Sequence, residues 1–369
     1  MTTEAKTRKT GKNGRTRRAV LLGLAVGTAL AGMVAMAAGT AREAEATFPG
    51  TNARIAFTSN RTTGTGVDNP TGDFEIFTIK PDGTGLKQLT FNTRDDNSPA
   101  FSPDGTKIAY DSNDDSASNP QGDYEIYVMN ASDGSGKKNL SDNDKGVEDN
   151  YPVFSPDSQR IVYTSFGIQT SNPQGDYEIY RVNALDGLGQ KNLSNNGVDV
   201  NDRAAAFSPD GTKIAYQSNG AQPSNLQGDY EVYRMSASDG LGKKNLSNNG
   251  GVVDDFGPVV SHGGKRIAYT SSGKQTSNPQ GDIEVYRMNA TDGLGQKNLS
   301  NNGVDVNDRA AAFSPDGTKI AYQSNGAQPS NLQGDYEIYR MNASDGLGKK
   351  NLTNNGTSDY LPDWGRQAM

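Results

Sequence analysis

Cysteine is absent from this 369-residue sequence, and histidine and tryptophan occur only once each. Without cysteine the chain has no disulfide framework, no thiolate metal site and no thiol nucleophile. The single histidine, His262, stands where other copies of a repeated turn have proline, so a Ser-His-Asp triad is not expected. No G-x-S-x-G nucleophile motif of the hydrolases follows the repeats. Apolar residues are only 33%, but with 44 glycines the composition is still that of a globular protein.

The first 46 residues have the composition of an export signal. A basic stretch, KTRKTGKNGRTRR, precedes about 21 apolar residues, and the small-residue sequence AEA ends at Ala46. The segment Thr16–Leu21 resembles the twin-arginine export motif. We therefore expect residues 1–46 to be removed, leaving 47–369 in the periplasm, the cell envelope or outside the cell. A retained membrane anchor is the alternative, because 21 apolar residues can span a bilayer.

The charge of the remaining chain limits its partners. Residues 1–46 hold eight Lys and Arg and three Asp and Glu, so residues 47–369 carry a formal net charge of −12. This acidity disfavours nucleic acid and anionic membrane surfaces. Basic proteins, cations and neutral sugars fit better, and after cleavage of the signal we expect a monomer without membrane insertion.

A period of 53 residues organises the chain after the signal. The stretch FSPDGTKIAYQSNG occurs identically at Phe207 and Phe313, and related copies open at Phe101, Phe154 and Val260. A degraded copy at Phe48 brings the number of units to six. Residues 190–250 and 296–356 are nearly identical, which indicates recent copying of a two-unit block and makes their identity uninformative about function.

Each unit reads as four strands. The first strand is the short apolar stretch AAAF or YPVF, and the second is KIAY, which follows the turn SPDG. The third strand is YEIYRMN, and the fourth is KKNLS, which follows the turn ASDG. Repeats of this length with several strands each predict a propeller. We predict an all-β, six-bladed β-propeller over residues 47–369, closed when the C-terminal strand around Trp364 joins the first blade.

The consensus FSPDGTKIAY…GDYEIYRMNASDG…KKNLS resembles the WD40-like repeat of the TolB propeller family, periplasmic six-bladed propellers of the Tol envelope system. The resemblance covers nearly all of residues 48–365. It implies the fold and an envelope location. The mixed α/β domain that precedes the propeller in TolB has no counterpart between the signal and the first repeat, so the resemblance does not imply a role in a Tol system.

An aspartate stands five residues before the opening aromatic position of every unit. The six are Asp96, Asp149, Asp202, Asp255, Asp308 and Asp359. Because they precede the innermost strands, we predict a ring of carboxylates at one mouth of the central channel, two of them beside Arg203 and Arg309. Three interpretations stay open: the carboxylates bond backbone amides at the strand starts, they attract a cation or a basic side chain of a partner, or they bind Ca²⁺.

The function that this pattern favours is an exported, non-enzymatic binding scaffold. Its long second-to-third loops and acidic ring would share one face and engage an envelope protein or a cell-wall component. No cofactor is expected. The alternative is a Ca²⁺-dependent propeller hydrolase or lactonase, which needs polar ligands on the inner strands. Alanine-rich inner strands such as Ala204-Ala205-Ala206 argue against it.

Overall fold

The computed structural model describes residues 52–366, except for 115–116, 144–145, 198, 221–224, 226–227, 250–252, 304, 327–330 and 332–333. The predicted signal, residues 1–46, lies outside the described residues, and its removal remains a prediction. Among the residues that are described, no helix has the length and apolarity to cross a membrane.

The strands form six separate four-stranded antiparallel sheets, which are numbered here as blades 1 to 6 along the chain. Blade 1 contains β1 (Asn52–Ser59), β2 (Glu75–Ile79), β3 (Lys87–Gln88) and the last strand, β24 (Asp359–Arg366). Blade 2 contains β4 (Asp96–Phe101), β5 (Lys107–Ser112), β6 (Glu125–Asn130) and β7 (Lys138–Asn139). Blade 3 contains β8 (Glu148–Phe154), β9 (Arg160–Phe166), β10 (Tyr177–Asn183) and β11 (Lys191–Asn192).

The other three blades repeat this order. Blade 4 contains β12 (Asp202–Phe207), β13 (Lys213–Ser218), β14 (Glu231–Ser236) and β15 (Lys244–Asn245). Blade 5 contains β16 (Asp255–Val260), β17 (Arg266–Ser271), β18 (Glu284–Asn289) and β19 (Lys297–Asn298). Blade 6 contains β20 (Asp308–Phe313), β21 (Lys319–Ser324), β22 (Glu337–Asn342) and β23 (Lys350–Asn351). The predicted all-β six-bladed propeller is confirmed.

The ring closes as predicted. Strand β24 pairs antiparallel with β1, with Trp364 opposite Ile55 and Asp359 opposite Ser59. The C-terminal strand thus becomes the inner strand of blade 1, and β1, β2 and β3 follow outward. Pairing the two ends of the chain removes the exposed inner edge that blade 1 would otherwise have.

The hydrophobic core lies between the blades. One cluster joins Ala109 and Ile126 of blade 2 to Phe154, Ile161 and Tyr180 of blade 3. The other clusters likewise combine side chains from neighbouring blades. Both faces of a blade must therefore be apolar, which explains why the third strands carry apolar residues on both sides.

Each blade also contacts its neighbour through a turn between the third and fourth strands. The glycine of that turn lies against the backbone of the preceding blade, so that a Cβ at Gly240 would be 1.7 Å from the carbonyl oxygen of Leu193. A lysine of the fourth strand donates to a carbonyl in the same turn of the next blade, as Lys191 does to Ser238 at 3.1 Å. Lys350 of blade 6 donates to Asp82 of blade 1 at 2.7 Å, which completes the circle.

Two faces follow from this topology. The loop face carries the loops between second and third strands and the connectors from one blade to the next. The turn face carries the tight SPDG and ASDG turns. The inner strands run between the two faces along the central channel, so their first residues lie at the mouth on the loop face.

Candidate functional site: the channel mouth on the loop face

The six predicted aspartates are placed at the first or second residue of each inner strand, and all are fully buried. Each carboxylate accepts a hydrogen bond from an asparagine of the connector before it. Asn92 donates to Asp96 at 2.8 Å and Asn249 to Asp255 at 2.7 Å. The same arrangement holds in the other four blades, for Asp149, Asp202, Asp308 and Asp359.

The six carboxylates are buried in the junctions between blades rather than exposed to the water of the channel mouth. The backbone at the start of the inner strands is bonded to the preceding blade. For example, Asp255 donates its N–H to the carbonyl of Tyr230 at 2.7 Å. Packing of the two blades closes water out of this junction. In the described residues the ring carboxylates accept hydrogen bonds from asparagine side chains, whereas the structural interpretation expects backbone amides as donors. A role of these six residues in ligand binding remains a prediction.

Sequence reasoning missed a second set of buried acids, the glutamates that begin the third strands. They are Glu75, Glu125, Glu178, Glu231, Glu284 and Glu337. The signal was present in the recurring GDYEIY, where Glu shares a face with apolar Tyr and Met. In blade 4, Glu231 accepts the N–H of Asn249 at 2.9 Å and the hydroxyl of Ser247.

At five of the six junctions one asparagine therefore links two carboxyl groups. Asn249 donates its backbone N–H to Glu231 of blade 4 and its side-chain amide to Asp255 of blade 5. Burial raises the pKa of Glu231 to about 8 and that of Asp255 to about 7. A carboxyl pair that loses water without gaining a cation holds its protons to higher pH.

The side chain that lies next to the buried aspartate differs from one junction to another: it is a lysine, a glutamine or an arginine. At the junction between blades 3 and 4, Lys243 lies 3.8 Å from Asp202, whose pKa burial still raises to about 6. Gln296 occupies the matching position next to Asp255 and donates to the Ser247 carbonyl at 2.8 Å. At the closing junction, Arg61 binds both carboxylate oxygens of Asp359 at 2.6 and 2.7 Å.

Aromatic rings and two arginines surround the channel mouth. Phe166 stacks on Tyr177 at 4.4 Å between centroids, and the Arg203 guanidinium carbon lies 3.5 Å from the Tyr177 ring centre. Arg203 also lies 5.7 Å from Tyr230, which packs against Phe256 at 5.7 Å. The second arc joins Arg309, Tyr336, Tyr360 and Phe74.

The two arginines thus do not neutralise the buried aspartates beside them. Neighbouring residues of a strand point to opposite faces, so Arg203 and Arg309 turn toward the mouth while Asp202 and Asp308 turn into the junctions. Within the described part of the chain neither arginine forms an ion pair, and the Nε atom of each is buried without a hydrogen-bond partner. The mouth is therefore aromatic and cationic.

A backbone bulge recurs in every inner strand two residues after the aspartate. The residues Ser98, Tyr151, Ala204, Gly257, Ala310 and Leu361 have φ between 50° and 57° there, and the strand register shifts around each. Positive φ is costly for non-glycine residues and is kept where surrounding contacts impose it. Several of the bulge N–H groups are held by the preceding blade: Gln217 accepts from Gly257 at 2.9 Å and Asp111 from Tyr151 at 3.1 Å.

The opposite end of the channel is narrower and holds the single histidine. A cavity of about 200 Å³ is lined there by the opening aromatics, the SPDG prolines, His262 and Trp364. His262 is not the solvated turn residue that the sequence suggested, because it is half-buried and burial lowers its pKa to about 4. Among the described residues, no group of three or more His, Cys, Asp or Glu side chains is arranged to hold a metal ion.

Known proteins resemble the chain in repeat sequence and in fold. No family model matches it. The Protein TolB homolog of Chlorobium luteolum is 32% identical over 152 residues, which cover 41% of this chain and 30% of that protein. TolB from Acinetobacter baumannii superposes with a TM-score of 0.62 at 22% identity, over 85% of this chain and 67% of that one. The chain thus has the propeller fold of TolB and resembles a TolB homolog over part of its sequence.

A putative TolB from Agrobacterium tumefaciens also has this fold. It superposes with a TM-score of 0.56 at 18% identity, over 87% of this chain and 93% of that one. Hydrazine synthase of Kuenenia stuttgartiensis contains the same fold, with a TM-score of 0.63 at 17% identity over 86% of this chain and 47% of that one. The chain spans less than a third of the curated TolB homolog that it matches. The comparisons therefore show the propeller fold and a resemblance to TolB, and they assign neither an activity nor a partner.

Proposed function

We propose that this TolB-like propeller is an exported, non-enzymatic scaffold of the bacterial cell envelope that binds a protein through its loop face. The observation that carries the proposal is a patch of exposed apolar side chains on blade 3. Tyr151, Phe166 and Ile168 are 43%, 38% and 75% exposed, and they lie next to the aromatic and arginine mouth. Aromatic residues and arginine are the side chains most often responsible for binding energy in protein interfaces.

The patch is rigid before any partner arrives. Phe166 is held by stacking on Tyr177, to which it is also paired across β9 and β10. The loop after it is fixed by Asn172, which is buried and donates to the Asp176 carbonyl at 2.6 Å. A preorganised apolar patch loses little conformational entropy on binding, which favours affinity.

The chemistry next to the patch indicates the kind of partner. Glu148 is exposed and lies opposite Phe166 in the register of β8 and β9. With a net charge of −12 over residues 47–369, the propeller would attract a partner that surrounds an apolar anchor with basic side chains. The TolB-like fold and the export signal support an envelope location for this contact.

The absence of a catalytic arrangement in the described residues supports a binding role. The channel wall at the mouth consists mainly of Pro, Ala and Val side chains, including Pro152, Ala205 and Val259. A calcium-dependent hydrolase or lactonase would need several carboxylate, amide or imidazole ligands there, whereas among the described lining residues one carboxylate, Asp363, and one amide, Gln217, are present. His262 lies at the other end of the channel.

The test uses the full chain, tagged at its C-terminus, to capture partners from the envelope fraction. A captured protein must then bind the purified chain directly, with its affinity measured by calorimetry. We expect Ile168→Asp to weaken this binding at least tenfold, because a charge would be buried against the partner. Leu188→Asp is the matched control, since Leu188 is 66% exposed on the turn face. The proposal is wrong if Leu188→Asp abolishes binding and Ile168→Asp does not, or if only cell-wall fragments bind.

A further inference from the structure

The channel mouth encloses a cavity of about 450 Å³. Volumes of about 300–1,000 Å³ are typical of pockets for small molecules. Its wall combines the bulge segments of the inner strands with Arg203, Arg309, Tyr151 and Phe256. The cavity is thus concave and of a size to hold one small ligand. Tyr151 of the protein-binding patch lines it, whereas Phe166 and Ile168 do not.

The two arginines are the cations of this cavity. The guanidinium carbon of Arg203 lies 3.5 Å from the Tyr177 ring centre, and that of Arg309 lies 5.7 Å from the Tyr336 ring centre. Contact with a ring occupies one face of a guanidinium and leaves its edge N–H groups for a ligand. The carboxylates nearest in sequence, Asp202 and Asp308, are buried away from the cavity and are bound by asparagines.

The wall below the arginines offers a ligand little hydrogen bonding. Prolines 99, 152, 258 and 362 have no N–H to donate, and they alternate around the channel with alanine and valine. Four of the six bulge N–H groups are already bound, for example Ala204 to Thr164 at 3.1 Å and Leu361 to Gln323 at 2.9 Å. A ligand body that enters the channel must therefore be mostly apolar.

One carboxylate lies deeper in the wall and gives the site a direction. Asp363 lines the cavity and accepts the N–H of Phe101 at 2.7 Å. An anionic group of a ligand is repelled from this level and attracted to the arginines at the mouth. The charged end of the ligand thus belongs at the loop face and its apolar body in the channel.

We propose that the channel mouth binds a small amphipathic carboxylate, whose carboxylate is held by Arg203 and Arg309 and whose apolar body enters the channel between the proline and alanine walls. Arginine suits this role because its planar fork binds carboxylates in a bidentate manner. The site shares Tyr151 with the protein-binding patch proposed above, but its two arginines lie outside that patch, and neither proposal depends on the other.

The experiment measures binding of decanoate to the purified full chain by calorimetry, at concentrations below micelle formation. Decanol tests the need for the charge, and glucuronate tests the need for the apolar body. We expect one decanoate to bind per chain, and we expect decanol and glucuronate to bind with at least tenfold lower affinity. We expect the double variant Arg203→Met with Arg309→Met to bind decanoate with at least tenfold lower affinity, because methionine keeps an apolar side chain but has no charge.

Arg160→Met is the matched control, since Arg160 is exposed on the turn face, and Ile168→Asp should also leave decanoate binding unchanged. Thermal unfolding of each variant shows whether it folds. If the double methionine variant does not fold, the decanoate, decanol and glucuronate comparison on the unmodified chain decides the matter. The proposal is overturned if decanol binds as well as decanoate, if glucuronate or an acidic peptide binds in place of decanoate, or if a folded double variant binds decanoate normally.

Discussion

Arg61 and Asp359 form a bidentate ion pair between the two ends of the propeller, with Nη2 of the arginine 2.6 and 2.7 Å from the carboxylate oxygens. The residues are 298 positions apart, and both are buried. Arg61 also lies 5.2 and 5.1 Å from the ring centres of Phe57 and Phe77. The pair thus joins the loop that follows β1 to the first residue of β24, at the point where the ring closes.

Removing one member of this pair should destabilise the propeller strongly. We expect Arg61→Met to lower the free energy of unfolding by about 3–5 kcal/mol, because it leaves Asp359 buried without its cation. The double variant Arg61→Met with Asp359→Asn should recover part of this loss, since no unpaired charge remains. Denaturant unfolding of the unmodified chain, both single variants and the double variant measures the coupling. Strictly additive single effects would show that the two residues act independently.

Deleting residues 358–369 should destroy the closure altogether, because it removes β24 and leaves blade 1 without its inner strand. We expect the truncated chain to lose the cooperative thermal transition or to melt far below the full chain. Deleting only residues 367–369, which follow β24, is the control. A truncated chain that melts at the unmodified temperature would contradict closure by strand exchange.

The turn glycines make a prediction with an internal control. Gly240 and Gly242 both have positive φ, 77° and 67°, so an alanine at either position is strained by about 1 kcal/mol or more. At Gly240 the new Cβ would also lie 1.7 Å from the Leu193 carbonyl oxygen, whereas at Gly242 nothing lies within 4 Å. We expect Gly240→Ala to lower the melting temperature clearly more than Gly242→Ala. Equal effects would mean that the contact between blades adjusts freely.

The buried carboxyl pairs predict that stability falls as the pH rises from about 5 to 8. Burial raises the pKa of Glu125 and Glu231 to about 8 and that of Asp149 and Asp255 to about 7. The unfolded chain releases these protons near pH 4, so over this range the folded state binds more protons and the free energy of unfolding decreases with pH. Glu231→Gln should flatten the slope measured by denaturant unfolding at several pH values. A slope of opposite sign would contradict the pKa directions.

Acid should also weaken the fold, through a different set of aspartates. Hydrogen bonds from Ser155 and Ser208 in the SPDG turns hold the pKa of Asp157 and Asp210 below the usual range. Their contribution is present above pH 4 and is lost as the pH falls through their folded-state pKa. We therefore expect the melting temperature to peak near pH 4, where this acid limb meets the decline caused by the buried carboxyl groups. Because both turn aspartates are largely exposed, this acid limb should be shallower than the alkaline one.

The 53-residue period by itself determined the number of blades, the order of strands within a blade and the closing role of the segment around Trp364. A repeat unit that cannot bury its apolar faces alone must stack on copies of itself, so period and strand pattern together leave a propeller. The apolar inner strands could also be read from Ala204-Ala205-Ala206 and Pro152-Val153. These properties depend on which residues occupy the same position in successive repeats, and the alignment of the repeats is visible in the sequence.

The tertiary structure alone decided which of those equivalent side chains meet water. Asp202 and Arg203 are neighbours in the chain, yet one is sealed in the junction between blades and the other lies at the channel mouth. Their solvent exposure differs because successive side chains of a strand point to opposite sides. The neighbouring blade therefore covers Asp202 and leaves Arg203 uncovered. The buried Glu231 and the mouth formed by Tyr177 and Phe256 arise in the same way. Solvent exposure and the charge of the mouth are properties of packed blades, which a single repeat does not contain.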